Sequence, residues 1–167
     1  MHDIDPRIVS RLERQNSALI SLARSVVLHS GDLMAALQKI LPVVGETLHV
    51  ARVSVWSFDE TRTHIRCILQ HDQVPTPSIT GAVLEAAQYP GYFREIQTSD
   101  VIAADDAATD PRTKEMAEAY LKPSGITSMM DVPVAFYGEL KVGAMFENGY
   151  MTGLYELEGE KMGEVQG

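Results

Sequence analysis

The sequence predicts an α+β domain, with a central antiparallel sheet of five or six strands and helices on both of its faces. Two pairs of strand patterns, each joined by a short turn, are the first observation behind this prediction. One pair spans residues 51–70 and the other spans residues 126–147. Helical patterns before and between the two pairs are the second observation. These helices can therefore cover either face of a sheet built from both hairpins.

The strands alternate apolar and polar positions as half-buried strands do. The first hairpin has strands at 51–58 and 64–70, and the second has strands at 126–136 and 140–147. In the strand at 126–136, Met130, Val132, Val134 and Phe136 share one face. Met129, Asp131, Pro133 and Ala135 share the other. Asp131 therefore stands on an otherwise apolar face, where a carboxylate needs a partner. A ligand amine, a backbone N–H, Arg94 or Arg112 are the candidates.

A long first helix is predicted over residues 6–29, and Pro6 suits the first helical position. Its apolar residues recur at alternating steps of three and four, as in a two-helix seam with one polar position. Two interpretations are open: the helix packs on its own domain, or the seam joins two copies of the chain. We expect residues 1–30 to be a signalling and dimerisation helix. The seam positions are Ile8, Leu12, Gln15, Leu19, Leu22 and Val26.

Three further helical segments are predicted before residue 100. One runs over 33–49, where Pro42 is expected to bend the helix or end its first part. A short helix is expected over 81–87, and another begins near Pro90.

Residues 101–133 form a strand, a helix and a second strand, with acids between them. Residues 101–104 are a short apolar run that suits a buried strand. Asp110 is suited to cap the following helix, because its side chain can accept backbone N–H bonds, and Pro111 fits the first helical position. The helix continues to Leu121.

Composition excludes several classes of protein. With 167 residues, of which 45% are hydrophobic, the chain suits one globular domain. A net charge of −9 without any run of Lys and Arg argues against binding to nucleic acid or to an anionic membrane surface. Cys67 is the only cysteine, which excludes an internal disulfide and a thiolate zinc cluster. With neither a signal peptide nor a membrane-spanning run in the sequence, we expect a cytoplasmic location.

The sequence carries none of the familiar catalytic or metal-binding motifs. The sequence has no phosphate-binding loop, nucleophile elbow, zinc-protease motif or dinucleotide fingerprint. Its five histidines do not pair at metal-ligand spacing, so no metal site is predicted. A pocket lined by aromatic side chains and a few polar groups is the remaining type of site. Packing in the core and hydrogen bonding in loops are the alternatives for the same residues. The candidate ligand-binding residues are Trp56, Tyr92, Phe93, Asp105, Tyr120, Met129 and Asp131.

Three segments together resemble bacterial GAF domains, of the kind found upstream of sensor histidine kinases and diguanylate cyclases. They are ARVSVWSFDE, YPGYFREIQTSDVIAADDAATDPRTKEMAEAYL and GITSMMDVPV, and the resemblance covers roughly residues 31–147. It implies a GAF-like sheet, related to the profilin and PAS architecture, with a ligand pocket between the sheet and roughly residues 89–121. It also implies dimerisation through terminal helices. The sensory domain is then expected over 31–150, followed by a C-terminal tail over 151–167.

The resemblance predicts a non-catalytic, small-molecule-sensing domain, whose ligand it leaves unidentified. Signature residues of the cyclic-nucleotide-binding relatives are missing, and Cys67 lacks the histidine neighbour that bilin-attaching relatives commonly have. No covalent bilin is therefore expected. Relatives that reduce methionine sulfoxide use several cysteines, which this chain lacks. The alternative function is a ligand-independent structural dimerisation module.

Overall fold

A computed structural model describes residues 5–25, 31–73, 75, 77–136 and 139–148; of residues 135, 136 and 139–148 it describes the backbone alone. Helix α1 spans Pro6–Ala23 and helix α2 spans Leu33–Leu48. Aspartates begin both helices: the Asp5 side chain accepts the Arg7 N–H, and the Asp32 side chain accepts the Ala35 N–H. These bonds satisfy N–H groups that have no partner within a helix. Helix α3 spans Pro90–Thr98.

The strands form one antiparallel sheet. They are β1 (Arg52–Phe58), β2 (His64–Asp72), β3 (Val83–Glu85), β4 (Ile102–Ala104), β5 (Ser128–Phe136) and β6 (Glu139–Asn148). Their order across the sheet is β3-β2-β1-β6-β5-β4, and every neighbouring pair is antiparallel. The two predicted hairpins, β1–β2 and β5–β6, thus meet in the middle of the sheet through β1 and β6. The predicted α+β architecture, an antiparallel sheet with helices, is confirmed.

Each face of the sheet carries its own hydrophobic core. On one face, Leu37 and Leu41 of α2 pack with Val53 and Val55 of β1, and Met130 and Val132 of β5 adjoin them. The other face holds Trp56, Cys67 and Met129, covered by α3 and by residues 102–126. We call the first the α2 core and the second the aromatic core. The predicted alternation along β5 is therefore confirmed for residues 129–132.

Two sequence predictions of helix are wrong, because pairing and loop contacts override local propensity. The segment expected to be a helix over 81–87 contains strand β3, which pairs with β2 and buries Leu84 between exposed Val83 and Glu85. Residues 110–121 form turns, a 3₁₀ turn at Lys114–Met116 and a π-helical turn at Ala117–Leu121.

The first two helices also depart from their predicted extents. α1 ends at Ala23, where the Ser25 N–H bonds to the Leu22 carbonyl and so tightens the last turn. Residues 26–29 of the predicted helix lie outside the described residues. Helix α2 continues through Pro42, so this proline does not end the first part of the helix. Residues 137 and 138 of the turn predicted at 137–139, and the tail at 151–167, also lie outside the described residues.

Candidate functional site

The aromatic core contains six of the seven predicted ligand-binding residues. The sheet contributes Trp56, Met129 and Asp131, helix α3 contributes Tyr92 and Phe93, and the π-helical turn contributes Tyr120; all six are buried. Asp105 is the exception: it is exposed in the bend after β4. The structure therefore brings residues that are as much as 75 positions apart in the sequence (56 to 131) to one face of the sheet.

Edge-on ring contacts organise this core. The Trp56 and Tyr120 rings lie 6.2 Å apart at 83°, and the Tyr92 and Phe93 rings lie 5.9 Å apart at the same angle. Such arrangements place the positive edge of one ring on the negative face of the other. The Trp56 indole also donates a 2.9 Å hydrogen bond to the Ser54 hydroxyl, so its orientation is fixed at both ends.

A buried hydrogen bond joins helix α3 to strand β5. The Tyr92 hydroxyl donates to Asp131 Oδ2 at 2.7 Å, and both residues are 0% exposed. Of the partners considered from the sequence, Arg112 instead bonds to Asp110 and to the Ala103 carbonyl, and Arg94 is exposed on α3. A tyrosine therefore holds this carboxylate, although the sequence pattern pointed only to charged or backbone donors.

Asp110 stabilises the loop before the aromatic core, but it caps no α-helix. Its carboxylate accepts the Arg112 N–H at 2.8 Å and the Arg112 guanidinium at 2.7 Å. These bonds lower the pKa of Asp110 and raise that of Arg112. Hydrogen bonding within the loop thus explains why an acid stands at position 110. The backbone carbonyl of Asp110 also accepts hydrogen bonds from the Thr113 and Lys114 N–H groups.

Sequence reasoning missed the role of Glu115. Helix α3 begins at Pro90 without a cap from its own preceding residue. The Glu115 carboxylate supplies the cap, accepting the N–H of Gly91 at 2.9 Å and of Tyr92 at 3.1 Å. A Cβ at Gly91 would lie 2.8 Å from this carboxylate, so the close approach favours glycine there. An uncapped Pro-Gly helix start was the only signal in the sequence.

The predicted dimer helix leaves an apolar stripe uncovered. Ile8, Leu12 and Leu19 are 41%, 57% and 66% exposed, and Val9 and Ile20 beside them are also exposed. Gln15 and Leu22 are half-buried. Successive residues of an α-helix are rotated by about 100° around its axis. Gln15 and Leu22 therefore lie on the same side of α1 as Arg11 and Ala18, which are also half-buried. The exposed stripe is thus rotated toward Val9 and Ile20 relative to the predicted seam, and Val26 lies outside the described residues.

Neither a membrane span nor a metal centre is found in the described part of the chain. None of its helices combines the length and apolar character needed to cross a bilayer. Its histidine, cysteine and acidic side chains form no group of three or more that could hold a metal ion.

The fold and this site define an α+β module with a covered aromatic face on its antiparallel sheet. The GAF domain family profile matches residues 32–145, and the chain therefore belongs to the GAF domain family. This is a family of regulatory sensing domains. Comparison with curated protein sequences gave no significant match.

Solved structures of GAF domains share the fold. The phycoerythrobilin-bound GAF domain of a cyanobacterial phytochrome is 20% identical, with a TM-score of 0.68 over 87% of this chain and 88% of that chain. The GAF domain of an Acinetobacter phosphoenolpyruvate-protein phosphotransferase is 15% identical, with a TM-score of 0.58 over 89% and 79%. The GAF domain of Thermosynechococcus elongatus PixJ, in its blue-light-absorbing form, is 16% identical, with a TM-score of 0.58 over 68% and 67%. At these identities the similarity concerns the fold.

Proposed function

We propose that this chain is a non-catalytic, small-molecule-sensing domain of a cytoplasmic bacterial signalling protein, such as a sensor histidine kinase or a diguanylate cyclase. The observation that carries the proposal is the buried Tyr92–Asp131 bond inside an aromatic core. A few polar groups among aromatic side chains are the usual composition of a ligand site. A solved GAF domain with bound phycoerythrobilin supports small-molecule binding in this fold. Because Cys67, the single cysteine, is buried, we propose a non-covalent ligand.

Strand β5 provides a route for the signal, because its two faces belong to different cores. Met129 and Asp131 face the aromatic core, and Met130 and Val132 adjoin the α2 core. Helix α2 packs on β1 and β2 and also contacts α1. A ligand that shifts β5 from the side of the aromatic core would therefore also move Met130 and Val132, which adjoin the α2 core on the other side. In this proposal, ligand binding biases a population of helix arrangements.

The proposed output surface is the exposed stripe of α1, which joins two copies of the chain. Burying Leu12 and Leu19 against a second stripe would remove large apolar side chains from water. Leu12→Glu and Leu19→Glu are expected to give monomers by sedimentation velocity without lowering the melting temperature of the monomer. Ser17→Glu, at an exposed position on the opposite side of α1, is the matched control and should remain dimeric. A dimer that persists in both leucine variants would contradict this surface.

The sensing function is tested by screening a metabolite library for thermal stabilisation of the dimer. A ligand at about 100 times its Kd raises the free energy of unfolding by about 2.7 kcal/mol through mass action. A compound that stabilises the protein and changes its dimerisation constant would support the proposal. Stabilisation without any change in dimerisation would contradict the signalling route through β5.

The alternative, a ligand-independent dimerisation module, is favoured by one observation: the depth at which the six core residues are buried. In that case these side chains are packing groups and the α1 stripe is the functional surface. Failure of a broad library to stabilise the protein, together with loss of the dimer in Leu19→Glu, would favour this alternative. The acidic chain, with a net charge of −9, gives no reason to propose a nucleic acid or an anionic membrane as partner.

A further inference from the structure

The exposed stripe of α1 also indicates how two copies of the chain would meet, an inference that rests on the dimer surface proposed above. We propose that Asn16 of one copy hydrogen-bonds to Asn16 of the second copy, midway along the two paired stripes. This contact fixes the register of the helix pair. Three features carry the assignment: the polar and apolar sides of α1, the chemistry of the asparagine amide and the distribution of charge.

The first feature is that α1 has an apolar side which its own domain leaves uncovered. No residue of α1 is buried, and its half-buried residues lie on the side of Arg11 and Ala18. Among the described elements, α1 packs chiefly on α2. The rotation of about 100° per residue places the exposed stripe on a separate side, about 120° wide. The members of this stripe are Ile8, Val9, Leu12, Asn16, Leu19, Ile20 and Ala23.

Asn16 is the only polar residue of this stripe, and it lies near the middle. It comes eight positions after Ile8 and seven before Ala23, and about 20° from the centre line of the stripe. A two-fold pair brings the same patch of both copies together. Two stripes that overlap along their whole length therefore place Asn16 opposite Asn16, whether the helices run parallel or antiparallel.

The second feature is the amide group itself. An asparagine side chain both donates and accepts hydrogen bonds, so two of them satisfy each other. An apolar partner surface would leave the amide without a partner and out of contact with water, which is costly. A single polar residue in a helical seam fixes its register at some cost in stability. The sequence pattern gives that role to Gln15, but Gln15 is half-buried on the side of Arg11 and Ala18, so Asn16 takes its place.

The third feature is charge. The stripe contains no charged side chain, so two stripes meet without bringing like charges together. Helix α1 carries three arginines and one glutamate, a net charge of +2, in a chain of net charge −9. Two copies repel each other through their acidic residues, whereas a contact at α1 brings each positive helix close to the acidic body of the other copy. Charge therefore favours a second copy as the partner of the stripe.

Disulfide cross-linking tests the contact directly. A disulfide requires Cα atoms within about 7 Å of each other, so only residues that meet their own counterpart form one readily. Asn16→Cys is expected to give a cross-linked dimer on mild oxidation, at least about ten times faster than Ser17→Cys. Ser17 is exposed outside the stripe and serves as the matched control. Cys67, the only native cysteine, is buried and leaves little background.

Two further substitutions at Asn16 test charge and register, with dimerisation measured by sedimentation. Asn16→Asp places two carboxylates opposite each other and should raise the dimer Kd at least about tenfold, whereas Ser17→Asp should leave it unchanged. Asn16→Leu removes the polar pair and should lower the Kd about tenfold while adding larger assemblies. Because α1 contributes no residue to either core, all these variants should keep the Trp56 fluorescence of the parent.

Slow cross-linking of Asn16→Cys, or equal Kd values for Asn16→Asp and Ser17→Asp, would overturn the Asn16 contact. If Leu19→Glu still abolishes the dimer in that case, the stripe remains the dimer surface and only the contact at Asn16 is wrong. A dimer that persists in Leu19→Glu would remove both the surface and the contact. The ligand-sensing function is tested separately by the thermal screen, so its failure is distinguishable from these outcomes.

Vesicles containing phosphatidylglycerol probe the other occupant that a positive amphipathic helix suits, an anionic membrane. The parent protein is expected to stay in solution when such vesicles are sedimented. Binding of the parent that is lost in Leu19→Glu would assign the stripe to a membrane and overturn the pairing of two copies.

Discussion

Replacing Tyr92 by phenylalanine tests the bond between helix α3 and strand β5. The substitution removes the hydroxyl that donates to Asp131 at 2.7 Å and keeps the ring that packs edge-on against Phe93. Removing one partner of a buried hydrogen bond costs about 1–3 kcal/mol, because the other partner stays out of contact with water. We expect Tyr92→Phe to lower the free energy of unfolding by about 2 kcal/mol. For a chain of this size, that corresponds to a fall in melting temperature of roughly 4–8 °C.

Urea unfolding at neutral pH, followed by Trp56 fluorescence and by circular dichroism, measures this change. Tyr89→Phe is the matched control: Tyr89 is buried in the same core, and its hydroxyl has no hydrogen-bond partner among the described residues. Its loss should cost much less than that of the Tyr92 hydroxyl. Equal costs in the two variants, or a cost below about 0.5 kcal/mol for Tyr92→Phe, would show that the bond contributes little.

Three further substitutions probe the cap, the loop and the α2 core. Glu115→Ala removes the cap of α3 and should cost about 1 kcal/mol in urea unfolding, whereas Glu115→Gln should cost less because an acceptor remains; equal costs would contradict a capping role. The pKa of Asp110 is lowered in the folded state. The stability that the ionised Asp110 carboxylate adds to the fold is therefore present above pH 3.8, its ordinary pKa, and is lost as the pH falls through the lowered pKa. Asp110→Asn should therefore reduce the melting temperature at pH 7 and leave it unchanged in strong acid, and a loss of equal size at both would refute the ionic contribution. Leu41→Ala, at a position 2% exposed, should cost about 2–5 kcal/mol by calorimetry, while Leu33→Ala, exposed on the same helix, should cost under about 1 kcal/mol.

Features encoded by neighbouring residues were predictable from the sequence. The hairpins at 51–70 and 126–147 follow from period-two alternation, and the starts of α1 and α3 follow from Pro6 and Pro90. The burial of Asp131 also followed from its place in an alternating strand. Each of these depends on contacts within a few residues or on the two-residue repeat of a strand.

Features that depend on distant contacts were not predictable. Residues 81–87 include good helix formers, yet Val83–Glu85 form a strand. They do so because strand β2 supplies hydrogen-bond partners for their backbone. Residues 114–121 form a 3₁₀ turn followed by a π-helical turn rather than a regular helix. There the Glu115 carboxylate reaches back to α3, and the aromatic core buries Met116, Tyr120 and Leu121.

The sequence by itself determined the fold class and the GAF resemblance, and it predicted six residues that the structure gathers at the aromatic core. The tertiary structure decided how the buried and capping side chains are partnered: Asp131 with Tyr92, Trp56 with Ser54, and Glu115 with the start of α3. It also decided which side of α1 remains exposed. The physical reason is that local patterns encode backbone conformation and burial. Pairing between side chains dozens of residues apart depends instead on the strand order and on the register that the assembled sheet adopts.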